Sequence, residues 1–365
     1  MSATILTLLA ALLFGGLALL SQYARKNRAA EITLLITIVA TSLLILLVGI
    51  FIGAGMFLLA SRGDSTAQQT LTAATGVAAI LGGLIGTGLC VPAIIRIFRS
   101  PKSRAMQATQ SPDEVPWETS STSGDVVDAG ETRRFWTDPT ILFAVWLFAL
   151  VLMNNLASIL AFAISPEQTG EIIAQAGQVT FGTVATSQLP FVIIAAAGVG
   201  LFVTRDWRGT LERLGYSAIN LKQLGMVGLF ILGALVVSYG TDLLFATLQP
   251  DLYGTVGKLS ETMFSSQGMS PLSAILFALM IGVGAGLGEE SLFRGAVQPK
   301  LGIVLTSILF ASMHIQYGPS ILLLFIFLLS VALGFLRRYI NTTATFLAHA
   351  GYNASSVLLA YFVGI

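Results

Sequence analysis

The sequence predicts an all-α fold, that of a polytopic helical membrane protein with about ten transmembrane helices. Hydrophobic residues make up 55% of the 365 positions and charged residues only 10%, and the mean hydropathy is +0.84. Ordinary soluble domains contain about 25% charged residues, so this composition excludes one. The apolar residues are gathered into long runs, and the basic residues lie between those runs with a strong bias. These observations together indicate a chain that crosses a bilayer many times.

The apolar runs justify the predicted helices in order. A bilayer core requires about 17 to 25 predominantly apolar residues in a helix. The predicted spans are residues 3–23, 32–60, 70–97, 139–164, 186–204, 223–247, 272–295, 301–317, 319–337 and 342–363. The first run has no basic region before it, so we interpret it as a spanning helix and not as a cleaved signal peptide. Only the turn sequence QYGP separates the eighth run from the ninth.

The basic residues predict the orientation. If the N-terminus is outside, all of the 19 Lys and Arg residues except Arg62, Lys258 and Arg294 fall in inner loops. Cytoplasmic loops of membrane proteins are enriched in Lys and Arg, so this distribution matches the positive-inside rule. We therefore expect an integral, multi-pass protein of the cell inner (plasma) membrane with its N-terminus outside.

A polar stretch divides the chain into two membrane units. Residues 99–138 are rich in Ser, Thr and acidic residues and nearly free of aliphatic ones, which predicts a disordered cytoplasmic linker. A three-span unit, residues 1–98, precedes the linker and a seven-span unit, residues 139–365, follows it. The single cysteine, Cys90, excludes an internal disulfide and a thiolate metal cluster. No nucleic-acid partner is expected.

Ionisable residues inside the predicted spans are few and gather late in the chain. Apart from Arg96 and Arg337, which stand at span ends and are counted with the inner loops, they are Glu289, Glu290, Arg294, His314 and His349, together with Asp242, which lies near an outer end and could be interfacial. A charge in the bilayer core costs several kcal/mol, so such residues are usually paired, functional or both. Both histidines of the chain belong to this set, at depths compatible with the two glutamates.

Helical spacing arranges these residues in pairs. Residues four apart share a helix face, which gives the pairs Glu290/Arg294, Phe310/His314 and His349/Asn353. A structural ion pair would account for the first, core packing for Phe310 and a helix–helix hydrogen bond for Asn353. Glu289 is different, because it points about 100° away from Glu290 on an α-helix and one arginine cannot satisfy two carboxylates.

Four glycines precede the glutamates at alternate positions. Gly282 and Gly286 form one small-xxx-small pair, and Gly284 and Gly288 form a second that is interleaved with it. Such pairs allow the backbones of membrane helices to approach closely. Helix packing explains them without any catalytic role, and it would bring neighbouring helices close to Glu289.

The set of polar residues suits hydrolysis of an amide by an activated water. A glutamate beside a histidine can hold and deprotonate a water, and a histidine and an asparagine one turn apart can donate hydrogen bonds to a developing oxyanion. No Ser or Cys motif of comparable quality is present. An ion-coupled transporter is a rival interpretation, but the sequence has no second copy of the cluster to indicate paired repeats.

Three motifs in order, Glu289-Glu290-x-x-x-Arg294, Phe310-x-x-x-His314 and His349-x-x-x-Asn353, resemble those of the CPBP family. That family comprises the type II CAAX prenyl endopeptidases, Abi-type bacteriocin immunity proteins and related intramembrane proteases. The resemblance covers residues 270–357 and leaves the first three spans and the linker outside it. It implies a helical protease core in the C-terminal unit, with a site inside the membrane that is open toward the cytoplasm.

The resemblance also implies roles for the matching residues. Glu289 resembles the general base that activates water, and His314 resembles the residue that helps to hold that water. His349 and Asn353 resemble an oxyanion-stabilising pair. The expected enzyme is an endopeptidase that cleaves a membrane-associated peptide or protein near the cytoplasmic face, and a prenylated substrate is not assumed.

Glu290 and Arg294 resemble a pair that supports the site, and this bears on the question of a metal. Glu289, His314 and His349 would make a three-ligand zinc site. If Glu289 binds zinc, no second carboxylate free of Arg294 remains as a base, so no cofactor is favoured, although zinc stays possible. Besides an enzyme and a transporter, the sequence also allows a non-catalytic scaffold or a toxin-binding immunity protein.

Overall fold

The computed structural model describes residues 3–60, 67–98, 137–175 and 177–364. Within these ranges the regular secondary structure is helical, with one isolated bridge between Leu201 and Arg205 and no strand. The predicted all-α class is therefore confirmed. Apart from its last two residues, the predicted linker lies outside the described ranges, so its disorder and the division into two units stay predictions.

The helices on either side of that linker follow the apolar runs. Before it come α1 (Ala3–Ala24), α2 (Arg28–Ala60), α3 (Ala67–Leu89) and α4 (Val91–Phe98). After it come α5 (Pro139–Ile164), α6 (Pro166–Ala174), α7 (Phe181–Gly198), α8 (Trp207–Leu214), α9 (Leu221–Leu248), α10 (Pro250–Phe264), α11 (Pro271–Glu289), α12 (Gln298–Ser312), α13 (Ile321–Tyr339) and α14 (Thr342–Phe362). A π-helical segment, Glu290–Val297, joins α11 to α12, and a 3₁₀ turn, Ile315–Tyr317, follows α12.

Within the described ranges, 8 helical stretches are long and apolar enough to cross a membrane. One of them, Pro271–Ser312, contains the seventh predicted span and residues 301–312 of the eighth, which therefore ends five residues earlier than predicted. Its backbone leaves the helical conformation at Gly302, where φ is 76°. The last predicted span is helical, as α14, but it is not among the eight, because polar residues such as His349 and Asn353 lower its hydropathy. The protein is a polytopic helical membrane protein.

The fifth span begins and ends earlier than the sequence predicts. α7 starts at Phe181 because Thr180 and Thr183 form a capping box, in which the side-chain oxygen of each accepts a hydrogen bond from the backbone N–H of the other. It stops at Gly198, and the chain then turns through Phe202, which has a φ of 61°. The expected span, residues 186–204, is wrong at both ends because apolar composition does not reveal where caps and turns lie.

The N-terminal helices pack directly on helices that follow the linker. α3 packs against α5, and α1 packs against α7. Trp146 of α5 is fully buried, and its indole N–H donates to the Ser42 hydroxyl of α2 at 3.0 Å. The Gln22 side chain of α1 donates to the carbonyl of Gly198 at the end of α7. These contacts join the helices on both sides of residues 99–136 into one bundle.

The alternating glycines of α11 bring two different helices close. A Cβ at Gly282 would collide with the carbonyl oxygen of Ala350 on α14, and a Cβ at Gly286 would press on the same helix. Gly284 and Gly288 face α7 instead, where a Cβ would collide with Val184 and Gln188. Each small-xxx-small pair therefore serves one neighbour, and together they hold α14 and α7 close to the end of α11 that carries Glu289.

Candidate active site

The two glutamates lie where the helix type changes. Glu289 is the last residue of α11, and Glu290 begins the π-helical segment. π-Helical turns are rare and often occur at functional sites. The sequence shows no sign of this wider turn, because the residue types that form a π-helix are those that form an α-helix.

Glu290 and Arg294 form a fully buried ion pair. Neither side chain is exposed, and the Nε–H of Arg294 donates to Oε2 of Glu290 at 3.2 Å. A second guanidinium nitrogen of Arg294 donates to the Ser330 hydroxyl of α13 at 2.8 Å, and the guanidinium carbon lies 5.3 Å from the centre of the Phe310 ring. Sequence reasoning missed Ser330, although a lone serine in the apolar run of α13 was an available signal.

His349 lies between the two glutamates. Its Nδ1 is 2.9 Å from Oε1 of Glu290, and its Nε2 is 3.9 Å from Oε2 of Glu289. Because a carboxylate only accepts hydrogen bonds, Nδ1 carries a hydrogen, and this N–H donates a hydrogen bond to Glu290. Glu290 therefore binds Arg294 with one oxygen and His349 with the other. The sequence spacing had indicated only the first of these two partners.

Glu289 is much less fully paired than Glu290. The side-chain amide of Gln188 on α7 donates to its Oε1 at a long 3.4 Å. Its Oε2 is buried and makes no hydrogen bond with any residue that the structure describes. Buried polar atoms nearly always have a partner, so an unpartnered carboxylate oxygen calls for an explanation. Sequence reasoning did not identify Gln188, because it lies on a distant helix and belongs to none of the motifs.

His314 lies beyond the end of α12, and not within a helix as its spacing from Phe310 suggested. α12 ends at Ser312, because the chain turns there into the 3₁₀ helix that begins at Ile315. The pairing nevertheless forms: the two rings have centroids 5.0 Å apart, and Nδ1 of His314 lies 3.0 Å from the carbonyl oxygen of Phe310. That oxygen can only accept, so Nδ1–H donates and Nε2 of the neutral ring is left as an acceptor.

One cavity of about 560 Å³ brings the candidate residues together. Its walls include Glu289, His314, His349 and Asn353. Glu290 and Arg294 do not line it and lie behind His349 and Phe310. Asn353 is one turn from His349 on α14, and its amide makes no side-chain hydrogen bond with the described part of the chain. Four candidate residues thus face a common space, and the other two support them from behind.

This main cavity reaches toward one end of the bundle, which we call the α10 end. Its outer walls include Gln178, in the connection between α6 and α7, and Ser260 of α10. α11 begins at that end and has 19 residues, so Glu289 lies about 28 Å from its start. Beyond Glu289 comes the π-helical segment, whose Phe293 and Arg294 are buried.

Basic residues gather at the opposite end, which we call the basic end. α7 runs from the α10 end at Phe181 to Gly198, and Arg205 and Arg213 follow it there beside Arg25 and Lys300. In the predicted orientation the basic end is cytoplasmic. In that orientation the part of the cavity lined by Gln178 and Ser260 lies at the outer end of the helices. The cytoplasmic opening of the site stays a prediction.

The candidate residues do not fit the zinc site that the sequence left open. The described ranges contain no group of three or more His, Cys, Asp or Glu side chains arranged to hold a metal ion. Hydrogen bonds of Nδ1 to Glu290 in His349 and to the carbonyl of Phe310 in His314 leave only Nε2 of each ring for a ligand, and they do not decide for or against a metal. Glu289, His314 and His349 share a cavity without forming a ligand set.

Comparisons with known proteins give the class of this site. Residues 271–355 match the family described as type II CAAX prenyl endopeptidase Rce1-like. The chain is also similar to the uncharacterized protein YpbD of Bacillus subtilis (strain 168), with 27% identity over 145 residues, which cover 40% of this chain and 69% of that protein. No solved structure matches the chain.

The matched segment runs from the start of α11 into α14 and contains all six candidate residues. The protein is therefore a helical integral membrane protein with a segment similar to a protease family. More particularly, residues 271–355 are similar to the type II CAAX prenyl endopeptidase Rce1-like family, which agrees with the resemblance that the three sequence motifs had indicated.

Proposed function

We propose that this protein is an intramembrane endopeptidase that hydrolyses a peptide bond of a membrane-associated substrate with a water activated by Glu289. The Oε2 of Glu289 accepts no hydrogen bond from the described residues and lies in a cavity shared with two histidines and an asparagine, and this observation carries the proposal. Its neighbour Glu290 has both oxygens engaged. Only Glu289 therefore has an oxygen available to take a proton from a water.

Glu289 acts as the general base in this mechanism. It removes a proton from a water while the water oxygen bonds to the carbonyl carbon of the substrate. The Nδ1–H of His314 donates to the carbonyl of Phe310, so Nε2 of the same ring is an acceptor. It can accept a hydrogen bond from the second O–H of that water. When the carbon–nitrogen bond breaks, Glu289 returns its proton to the departing amine, which leaves the carboxylate ready for another cycle.

His349 and Asn353 stabilise the oxyanion. With His349 protonated, its Nε2–H can donate, and the charges of Glu289, Glu290, Arg294 and His349 then sum to zero. An electroneutral cluster is the arrangement that costs least in a medium of low dielectric constant. The Asn353 amide supplies the second donor from the same face of α14.

Glu290 and Arg294 are positioning residues in this scheme. Glu290 fixes the tautomer and the orientation of the His349 ring through the 2.9 Å contact with Nδ1. Arg294 in turn fixes Glu290, and Ser330 helps to fix Arg294. No step of the mechanism uses a metal, because the side chains do not form a ligand set.

The substrate enters from the α10 end. Cleavage near the cytoplasmic face, which the family resemblance implied, would require the α10 end to be cytoplasmic and the basic end to be outside. The positive-inside rule favours the reverse, so we propose that the basic end is cytoplasmic and that the N-terminus is outside. The protein then lies in the plasma membrane with its cavity open to the outer side.

Labelling with a membrane-impermeant maleimide in intact cells tests the side of access. Two exposed positions, Lys258 at the α10 end and Arg208 at the basic end, are replaced singly by cysteine in a Cys90→Ala background. The proposal expects labelling of K258C but not of R208C until the cells are opened. Labelling of R208C alone in intact cells would reverse the side of access and leave the hydrolytic proposal unaffected.

Cleavage by purified protein in liposomes tests the chemistry. A set of fluorogenic peptides anchored by acyl or prenyl chains is incubated with the wild type and its variants, and the products are identified by mass spectrometry. Glu289→Gln should lower the rate by about 10²–10⁴-fold, the usual contribution of a general base. The exposed Glu261→Gln is the matched control and should cleave normally. Cleavage by Glu289→Gln at the wild-type rate would remove Glu289 as the base, and a wild type that cleaves nothing would favour a non-catalytic scaffold or immunity protein.

A further inference from the structure

A second cavity lies at the basic end, separate from the candidate active site. Its volume is about 240 Å³, and close-packed protein interiors contain few voids larger than a water molecule. Helices α1, α5, α7 and α12 and the π-helical segment contribute its walls. It therefore lies at the seam between the N-terminal helices and the helices of the family domain.

Four basic side chains line this cavity at the basic end. They are Arg25, Arg205, Arg213 and Lys300. Within the described part of the chain, the one carboxylate in an ion pair with any of them is Asp138, whose Oδ2 is 3.4 Å from Nε of Arg25. Cationic groups therefore outnumber anionic ones at this mouth.

Backbone carbonyls hold two of these side chains in place, but a carbonyl carries no net charge and so does not neutralise them. Arg205 donates to the carbonyl of Val199, and Arg213 donates to the carbonyl of Gly295 at 3.4 Å. Burial lowers the pKa of Arg213, and the positive charges of Arg205 and Arg337 lower it further. An anion bound at the mouth would relieve this repulsion.

Behind the basic mouth the cavity becomes apolar and runs into the membrane. Along α5 it is lined by Thr140, Phe143, Leu147 and Val151, which lie on one helix face. This face extends about 16 Å from Thr140 to Val151 at the rise of an α-helix. Phe191 and Leu309 line the opposite walls. Such a channel can take an extended hydrocarbon chain.

The level of the mouth matches that of lipid headgroups. Phe202 and Trp207 flank Arg205 in the chain, and their side chains are 82% and 58% exposed. Exposed aromatic residues beside basic ones are typical of the membrane–water interface. Basic pockets between helices on the cytoplasmic side are known sites for anionic lipid headgroups.

We propose that this cavity binds an anionic phospholipid, with its phosphate among Arg25, Arg205, Arg213 and Lys300 and one acyl chain along α5. The basic mouth explains the preference for an anionic headgroup, and the apolar channel explains why the ligand is a lipid and not a free phosphate. The bound lipid would brace α1 against the family domain. This inference does not depend on the proposed hydrolytic activity.

Thermal unfolding of delipidated protein in a neutral detergent tests the proposal. The probes are phosphatidylglycerol, phosphatidylcholine with the same acyl chains, and inorganic phosphate. Phosphatidylglycerol should raise Tm in a saturable way, with a clearly smaller effect of phosphatidylcholine and no effect of phosphate. The double variant Arg205→Gln/Arg213→Gln should bind phosphatidylglycerol about thirtyfold more weakly, from the usual contribution of a basic residue near an anionic lipid.

Two further variants keep the test decisive. Arg208 lies on α8 like Arg213, but its side chain is 87% exposed and paired with Glu212. The matched control is therefore Arg208→Gln. It should therefore bind lipid as the wild type does. Leu147→Trp should block the channel and abolish the shift in Tm while all four basic residues remain. Equal shifts with the two lipids, a shift with phosphate alone, or full binding by the double variant would each overturn the proposal.

Discussion

Replacing Arg294 by methionine should strongly destabilise the protein, because it leaves the Glu290 carboxylate buried with one fewer partner. Breaking a buried ion pair by removing one member typically costs about 3–5 kcal/mol. His349 still donates to Glu290 at 2.9 Å after the change, so we expect the lower end of that range. The loss of the hydrogen bond to Ser330 adds about 1 kcal/mol. The expected fall in the free energy of unfolding is therefore about 4 kcal/mol.

The double variant Glu290→Gln/Arg294→Met separates the energetic cost of the unpaired Glu290 charge from the cost of the lost Arg294 packing. With a neutral glutamine at position 290, no uncompensated charge stays buried, and about half of the lost stability should return. Reversible unfolding by SDS in mixed micelles measures both variants and the wild type. A loss below about 1 kcal/mol for Arg294→Met, or a double variant no more stable than Arg294→Met, would refute the argument from buried charge.

Three further predictions concern helix packing, the oxyanion and the metal. Gly282→Ala should lower stability by about 1–3 kcal/mol through its collision with Ala350, whereas Gly225→Ala on α9, where a Cβ meets nothing within 4 Å, should be neutral or slightly stabilising in the same unfolding assay. Asn353→Ala should lower kcat by about 10²–10³-fold with little change in KM, and an unchanged kcat would remove Asn353 from the oxyanion site. Incubation with a zinc chelator should leave peptide cleavage unchanged, and a loss that added zinc restores would show that a metal is required.

The close approach at α11 explains how a chain with so few polar residues gathers them at one point. Gly282 and Gly286 admit α14, and α14 carries His349 and Asn353. Gly284 and Gly288 admit α7, and α7 carries Gln188. Without these glycines, side-chain volume would hold both helices away, and the contacts of Glu289 with His349 and Gln188 would not form.

Hydropathy and the placement of charge were enough to predict the class of fold and to select the candidate residues. Hydropathy shows which segments are helical and membrane-embedded, because the bilayer penalises any unsatisfied backbone group and so leaves few structural choices. The cost of charge in lipid then singles out the few ionisable residues within those segments. Spacing along the chain pairs residues that are close in sequence, as it did for Glu290 with Arg294 and for His314 with Phe310, although His314 lies beyond the end of its helix.

The tertiary structure alone decided which residues meet across helices and where the cavity opens. Contacts of Glu290 with His349, of Arg294 with Ser330 and of Glu289 with Gln188 join helices distant in sequence, and periodicity within one helix holds no information about its neighbours. The π-helical turn and the early end of α12 depend on local backbone geometry that similar compositions can adopt or avoid. The shape of the main cavity, which reaches toward the α10 end, follows from the packing of several helices, so no single segment of the sequence could have revealed it.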